Sequence, residues 1–287
     1  MNWLEPGSEM IQVAYEDLSN FPGTAFGVDT PVRVDVEIQG VLVPMLVVRR
    51  ADSSRLTVLN NGAVDLRRSQ GRPIFQRSSW WQEIRSHQIY VCDPGTVGPN
   101  ALALNWFQTA PPLWMGSSVA GAVRRISVLL GVRSPEHRTY YGSSAGGFAA
   151  LFQLCGDPRA RAVVNNAQFD WTRWYPQFVT EVLGQHFGGR LAADVRRSWP
   201  QRTNALNYLL RRAQGLRIEY HVNMASPYDR DIQYPLFLEF MRENPDRCGD
   251  IMLHHYFDPE MNHNPLPKPR TLAILNSRPE PGSLSAR

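Results

Sequence analysis

The octapeptide Tyr140-Tyr141-Gly142-Ser143-Ser144-Ala145-Gly146-Gly147 constrains the fold of this chain more than any other stretch. The run from His137 to Gly142 reads as a short strand, Gly146 to Leu154 (GGFAALFQL) reads as a buried helix, and a Gly-x-Ser-x-Gly turn joins the two. That pattern alone occurs by chance in roughly one chain in ten of this length. The flanking strand and helix therefore carry the reading. A turn this sharp strains the backbone of Ser144 and exposes its Oγ at a helix N-terminus, while glycines at 142 and 146 leave room that a Cβ would fill. This is the local geometry of a serine nucleophile.

Apolar runs place eight strands at Val32 to Ile38, Leu42 to Val48, Leu56 to Leu59, Gln88 to Cys92, Arg138 to Gly142, Ala162 to Asn165, Arg217 to Val222 and Ile251 to Tyr256. The first two read as an antiparallel pair about Gln39-Gly40, after an irregular N-terminal segment. The later runs alternate with helical patterns at Gly116 to Leu130, Gly146 to Leu154, Gln233 to Arg242 and Arg270 to Asn276. That alternation predicts an α/β fold, a mostly parallel sheet with helices on both faces and ligands beyond the carboxyl ends of its strands. Between Asn166 and Gln214 no strand is evident, and Phe169, Trp171, Trp174, Tyr175, Phe178, Trp199 and Tyr208 are interleaved with arginines. We read this as a helical cap. Most of its aromatics should form a satellite core, and a few should wall a pocket. The expected division is a core over 1–165 and 215–277, a cap over 166–214 and a flexible tail over 278–287.

The 287 residues and 43% hydrophobic content suffice for one large domain with an insertion. The net charge of +4 comes from arginine, Lys268 being the single lysine. The basic pairs, such as Arg124-Arg125 and Arg196-Arg197, lack aromatic interleaving, so no nucleic-acid partner is expected. No apolar stretch reaches bilayer length and the start lacks a secretory pattern, so neither a membrane nor the general export route is expected. Cys92, Cys155 and Cys248 are widely spaced and odd in number, as for reduced thiols in a cytoplasm.

A serine hydroxyl needs a base, oriented by an acid, and in such a sheet the chain order is serine, acid, histidine. His263 follows the last predicted strand, in Met261-Asn262-His263-Asn264-Pro265-Leu266-Pro267. Asp229 and Asp231 follow the seventh, in Ser226-Pro227-Tyr228-Asp229-Arg230-Asp231. Asp229 is the preferred acid and Asp231 the alternative, since Asp231 also suits the N-cap of the next helix. Two backbone donors for a developing oxyanion are expected at Ala145, after the serine, and at Ala63, in Asn60-Asn61-Gly62-Ala63 after the third strand.

Four segments resemble one branch of the α/β-hydrolase superfamily, the polysaccharide-associated hydrolases and accessory-secretion acetyltransferase-like proteins. They are Asn61-Gly62-Ala63 with Pro73-Ile74-Phe75-Gln76-Arg77, Tyr141 to Gly147, Asn165-Asn166-Ala167-Gln168, and His263-Asn264-Pro265-Leu266-Pro267-Lys268. The resemblance runs from about Val32 to Asn276 and implies an α/β-hydrolase fold. It departs at Asn223-Met224-Ala225-Ser226, where the branch looks like Asn-x-x-Asp, and the acid is then expected at Asp229.

The expected chemistry is serine-dependent acyl transfer on an ester, thioester or amide, needing no cofactor or metal: Ser144 attacks, His263 moves the proton, Asp229 orients the imidazole. Water as second nucleophile makes a hydrolase; a sugar or peptide makes an acyltransferase. The substrate is accordingly a small molecule, glycan or peptide. Two other classes stay open. One is a binding or biosynthetic protein that uses the cleft without a nucleophile. The other is a metal site at His254, His255, Asp258 and His263.

Overall fold

The computed structural model describes residues 10–211 and 214–277. Gln39 and Gly40, with φ of 52° and 80°, form a primed two-residue turn whose twist suits a hairpin. It joins β2 (Pro31–Ile38) to β3 (Val41–Val48), paired antiparallel with Ile38 opposite Val41. The other strands are β1 (Met10–Ala14), β4 (Leu56–Asn60), β5 (His87–Val91), β6 (Arg138–Ser143), β7 (Arg161–Asn165), β8 (Leu216–Asn223) and β9 (Cys248–Tyr256). All nine lie in one sheet, ordered β1-β2-β3-β5-β4-β6-β7-β8-β9.

Eight strands match the sequence expectation within a few residues; β1 lies in the segment read as irregular. Only Val13 of β1 is buried, so Met-Ile-Gln-Val-Ala carries little alternation, and parallel pairing with β2 creates the strand. From β5 to β9 every pairing is parallel.

Helices α1 (Leu66–Ser69), α2 (Gly116–Leu129), α3 (Ala145–Cys155), α4 (Pro176–Phe187), α5 (Ala192–Ser198), α6 (Pro200–Thr203), α7 (Ala205–Leu209), α8 (Tyr234–Glu243) and α9 (Lys268–Asn276) complete the fold. Every residue of α3 is buried, and Phe148, Leu151 and Phe152 join the main core with α2 and one face of the sheet. Each such side chain contributes roughly 1.5–3 kcal/mol. The opposite face packs Tyr90, Tyr141 and Val163 against Trp80, Trp81 and Leu272 and Ile274 of α9.

Residues 166–211 hold four helices and no strand. In this segment α7 packs on α3, and Trp171 stacks on Trp106 at 5.5 Å. The tail expected over 278–287 lies outside the described residues.

The topology places the site. The chain runs from β4 to β5 on one side and returns to β6 on the other, so β4 and β6 are neighbours with a crevice beyond their carboxyl ends. The Asn60–Ala63 loop and the Ser144 turn open side by side there. The elbow strand is anchored below by a buried bidentate ion pair: Arg138 Nε and Nη2 reach Asp157 at 2.5 and 2.7 Å, and the Tyr140 hydroxyl donates to the same carboxylate at 2.8 Å.

Candidate active site

Ser144 has φ 56° and ψ −127°, a conformation that costs a residue with a Cβ about 1–3 kcal/mol. Its surroundings hold it there. The Ser144 N–H donates to Asn165 O at 3.1 Å, and its carbonyl accepts from Gly147 N and Gln168 N at 3.0 and 3.2 Å. A Cβ on Gly142 would lie 1.9 Å from Gly146 O, and one on Gly146 would lie 2.7 Å from Asn60 O. Glycine at both positions is therefore a steric requirement.

His263 is brought to this turn by a loop without regular structure between β9 and α9. Its Nε2 lies 2.9 Å from Ser144 Oγ and its Nδ1 lies 2.8 Å from Asp229 Oδ2. Asp229 is fully buried and begins a single π-helical turn, Asp229–Gln233, that leads into α8. Gln233 ties this turn to the chain beyond β7: Asp170 N donates to its Oε1 and its Nε2 donates to Asp170 O. Asp231 is not at the site. Its carboxylate, 56% exposed, pairs with Arg230 at 2.7 Å. Ser226, at the position where the resembling branch has its acid, is buried and accepts a backbone hydrogen bond from Arg230.

The Ala145 and Ala63 amides make no hydrogen bond among the described residues. Gly62, between Ala63 and the elbow, is occupied: its N–H donates to Gln76 Oε1 at 2.9 Å, while Gln76 Nε2 donates to Ala63 O at 2.7 Å. Gln76 thus clamps both sides of the Ala63 peptide and leaves the Ala63 N–H free. Two unpaired amides beside a serine can hold an anionic oxygen.

Four contacts escape reasoning from sequence. Gln168 Nε2 donates to Ser144 Oγ at 2.8 Å. Trp174 packs on the His263 ring at 4.4 Å, with Tyr175 and Tyr228 beside it. Asn223 and Asn166 bind the carbonyls of Asn262 and His263. The Arg77 guanidinium, over the Tyr141 ring, donates to Ser143 Oγ at 2.8 Å. Gln168, Asn166 and Arg77 stand in the segments that carry the resemblance, Asn223 opens the segment where it departs, and Trp174 is one of the cap aromatics.

The metal grouping expected at His254, His255, Asp258 and His263 does not converge. His255 Nε2 meets the Tyr234 hydroxyl, and Asp258 Oδ1 accepts from Glu260 N and Met261 N. A different trio, Glu219, His221 and His254, has ligand-type atoms within 4.8 Å. Its geometry suits an ion poorly. The two imidazoles stack at 4.4 Å and 10°, so their lone pairs run parallel, and the Arg161 guanidinium already sits on Glu219.

The sheet order, the strand-turn-helix at Ser144 and the acid and histidine beyond β8 and β9 define an α/β-hydrolase fold. No protein-family model matches the chain, and no curated protein matches its sequence. Solved structures do match. The capsule O-acetyltransferase of Neisseria meningitidis serogroup A is 12% identical, with TM-score 0.56 over 79% of this chain and 89% of that one. An esterase of the bacterial hormone-sensitive lipase family is 15% identical, with TM-score 0.52 over 91% of this chain and 86% of its own. A chain of the glycosylation associate protein complex of Streptococcus agalactiae is 11% identical, with TM-score 0.55 over 78% of this chain and 41% of that chain. Among the described residues no helix is long and apolar enough to cross a membrane.

Proposed function

We propose that the protein is a serine-dependent acyl-transfer enzyme with Ser144 as nucleophile, His263 as general base and acid, and Asp229 as the residue that orients the imidazole. The observation that carries this reading is the hydrogen-bonded chain Asp229–His263–Ser144, ending on a strained serine at the start of α3. Ser144 Oγ attacks a carbonyl carbon as its proton passes to His263 Nε2. The oxyanion accepts from the Ala145 and Ala63 amides, and His263 returns the proton to the leaving group. Trp174 covers one face of the imidazole, with the ring centroids 4.4 Å apart.

Water or a hydroxyl-bearing acceptor then resolves the acyl-enzyme. Transfer to a glycan hydroxyl is supported by the likeness to a capsule O-acetyltransferase, and hydrolysis by the likeness to an esterase. The wide spacing and odd number of the cysteines, Cys92, Cys155 and Cys248, favour a reducing compartment such as the cytoplasm.

The test is covalent labelling by a fluorophosphonate with the adduct located by mass spectrometry. One adduct on Ser144, lost in Ser144→Ala and His263→Ala, is expected. Folded protein that takes no adduct, yet binds ligands equally well as Ser144→Ala, would make this a binding protein on a hydrolase fold.

A further inference from the structure

The nucleophile oxygen has a second polar neighbour besides His263. Gln168 lies beyond β7, fully buried, with its backbone N–H bonded to Ser144 O at 3.2 Å. Its side chain is held at both ends: Nε2 lies 2.8 Å from Ser144 Oγ and Oε1 lies 2.5 Å from Trp106 Nε1. The second contact fixes the orientation of the amide. An indole N–H can only donate, so the amide oxygen must face Trp106 and the NH2 must face the serine.

Trp106 is itself aimed. It is fully buried and stacked on Trp171, and Trp106 and Phe107 are successive left-handed residues with φ of 50° and 54°. Such a pair persists only where the surroundings over-determine it. Here the Phe107 N–H donates to the buried Asp93 carboxylate at 2.6 Å.

We propose that Gln168 is a catalytic residue that donates a hydrogen bond to the nucleophile oxygen itself, with Trp106 as its positioning residue. The proposal rests on the reading of Ser144 as nucleophile. In the resting site the serine hydroxyl gives its hydrogen to His263 Nε2 and accepts from Gln168, which leaves one lone pair for the carbonyl. During acylation the Oγ–C bond forms as the proton moves to His263 and the carbonyl π pair moves to its oxygen; that pair then re-forms the carbonyl as the bond to the leaving group breaks, and the leaving atom takes the proton from His263. During deacylation the acceptor oxygen bonds to the carbonyl carbon and loses its proton to His263. The Oγ–C bond then breaks with its electron pair on Oγ, which recovers the proton from His263. Negative charge builds on Oγ in both transition states, and Gln168 donates to the atom that bears it. Ala145 and Ala63 act on the other oxygen. The Gln168 bond thus strengthens towards each transition state, the condition for a contact to raise kcat.

The experiment measures fluorophosphonate labelling rates and ester turnover for Gln168→Leu, Gln168→Glu and Trp106→Phe, with melting curves for each. Gln168→Leu should lose about 10- to 100-fold in rate at every pH, in kcat and not in KM. Gln168→Glu puts a carboxylate beside Oγ, which repels the forming charge and draws the serine hydroxyl from His263. Its loss should exceed about 100-fold near pH 8 and shrink as pH falls, because burial raises a carboxyl at this position and returns it a proton to donate. Trp106→Phe leaves the elbow untouched, frees the amide to rotate, and should cost about threefold to tenfold. It carries the test if the buried Gln168 variants fail to fold. A folded Gln168→Leu within about twofold of wild type, or equal losses in the Leu and Glu variants with no pH dependence, would overturn the proposal. Wild-type protein that takes no label would instead remove the nucleophile reading, so the two failures are distinct.

Discussion

Asp229→Asn can be followed atom by atom. Asp229 is fully buried, its Oδ2 lies 2.8 Å from His263 Nδ1, and its Oδ1 has no hydrogen-bond partner. An asparagine amide can enter this space in two orientations. With its oxygen towards His263, the NH2 takes the Oδ1 position and is buried without an acceptor, at a cost of roughly 1–3 kcal/mol. With its NH2 towards His263 that cost vanishes, because the unpartnered position again holds an oxygen. The imidazole must then accept at Nδ1 and carry its proton on Nε2, where it donates to Ser144 Oγ and can no longer act as base. The energy difference leaves the productive tautomer a minority by about 5- to 150-fold. That minority also lacks the carboxylate charge that stabilises the imidazolium. Together these effects should lower kcat by about 10³-fold or more, near 4 kcal/mol. The assay is hydrolysis of a 4-nitrophenyl ester beside the labelling rate, with a melting curve to show that the near-isosteric variant folds. Asp231→Asn, at an exposed ion pair, should stay within about twofold. A folded Asp229→Asn within about tenfold of wild type would refute the reasoning.

Gly146→Ala drives a Cβ to 2.7 Å from Asn60 O and 3.1 Å from Asn61 O, so the loop that carries Ala63 must shift; labelling should fall about 100-fold or more, and full activity would contradict the proposed oxyanion position. Gln76→Ala removes the clamp on the Ala63 peptide and should cost about tenfold in ester turnover, a loss that unchanged kcat would rule out. Asp93 offers a pH test of stability. Burial pushes its carboxyl up to about 6, against hydrogen bonds from Phe107, Asn105 and Gly95 that pull it down. The folded state therefore takes up this proton as pH falls through about 6, whereas the unfolded chain waits until about 4. This group adds stability on acidification, by about 2 kcal/mol between pH 7 and pH 4, and that gain is lost as pH rises. In urea denaturation the stability difference between wild type and Asp93→Asn should move by that amount across the window, and a constant difference would refute the shift.

The parts of the site that follow from local rules were legible in the sequence. The Ser144 turn announces itself by its glycines, because the close approach of Gly146 O to Gly142 needs that residue type. The strands that carry the acid and the histidine follow from continuous apolar runs. Spacing left Asp229 and Asp231 open, since one residue more or less in a turn exchanges which carboxylate faces inward. The structure separates them through a π-helical turn, and no composition signal marks such a turn. The contacts of Gln168 and Trp174 were not legible for a different reason: their partners, Trp106 and His263, are far along the chain. Strand β1 escaped because a strand with one buried side chain leaves almost no periodicity.

The asparagines at the strand ends explain how a loop without regular structure can hold His263 in register with Ser144. Backbone groups outside helix and sheet still need partners, and here side-chain amides provide them. Asn166 Nδ2 donates to the carbonyls of His263 and Asn264, both at 3.2 Å, and its Oδ1 accepts from Asn223 N at 2.9 Å. Asn223 Nδ2 donates to Asp258 O and Asn262 O at 2.7 Å, and Asn165 Oδ1 accepts from Leu266 N at 2.7 Å. Each amide projects from the carboxyl end of β7 or β8, and sheet pairing sets those ends in fixed register. The histidine loop is thereby referenced to the same strand ends that flank Ser144, whose own N–H donates to Asn165 O. Ser144 and His263 are thus positioned from a common origin, the carboxyl ends of β7 and β8.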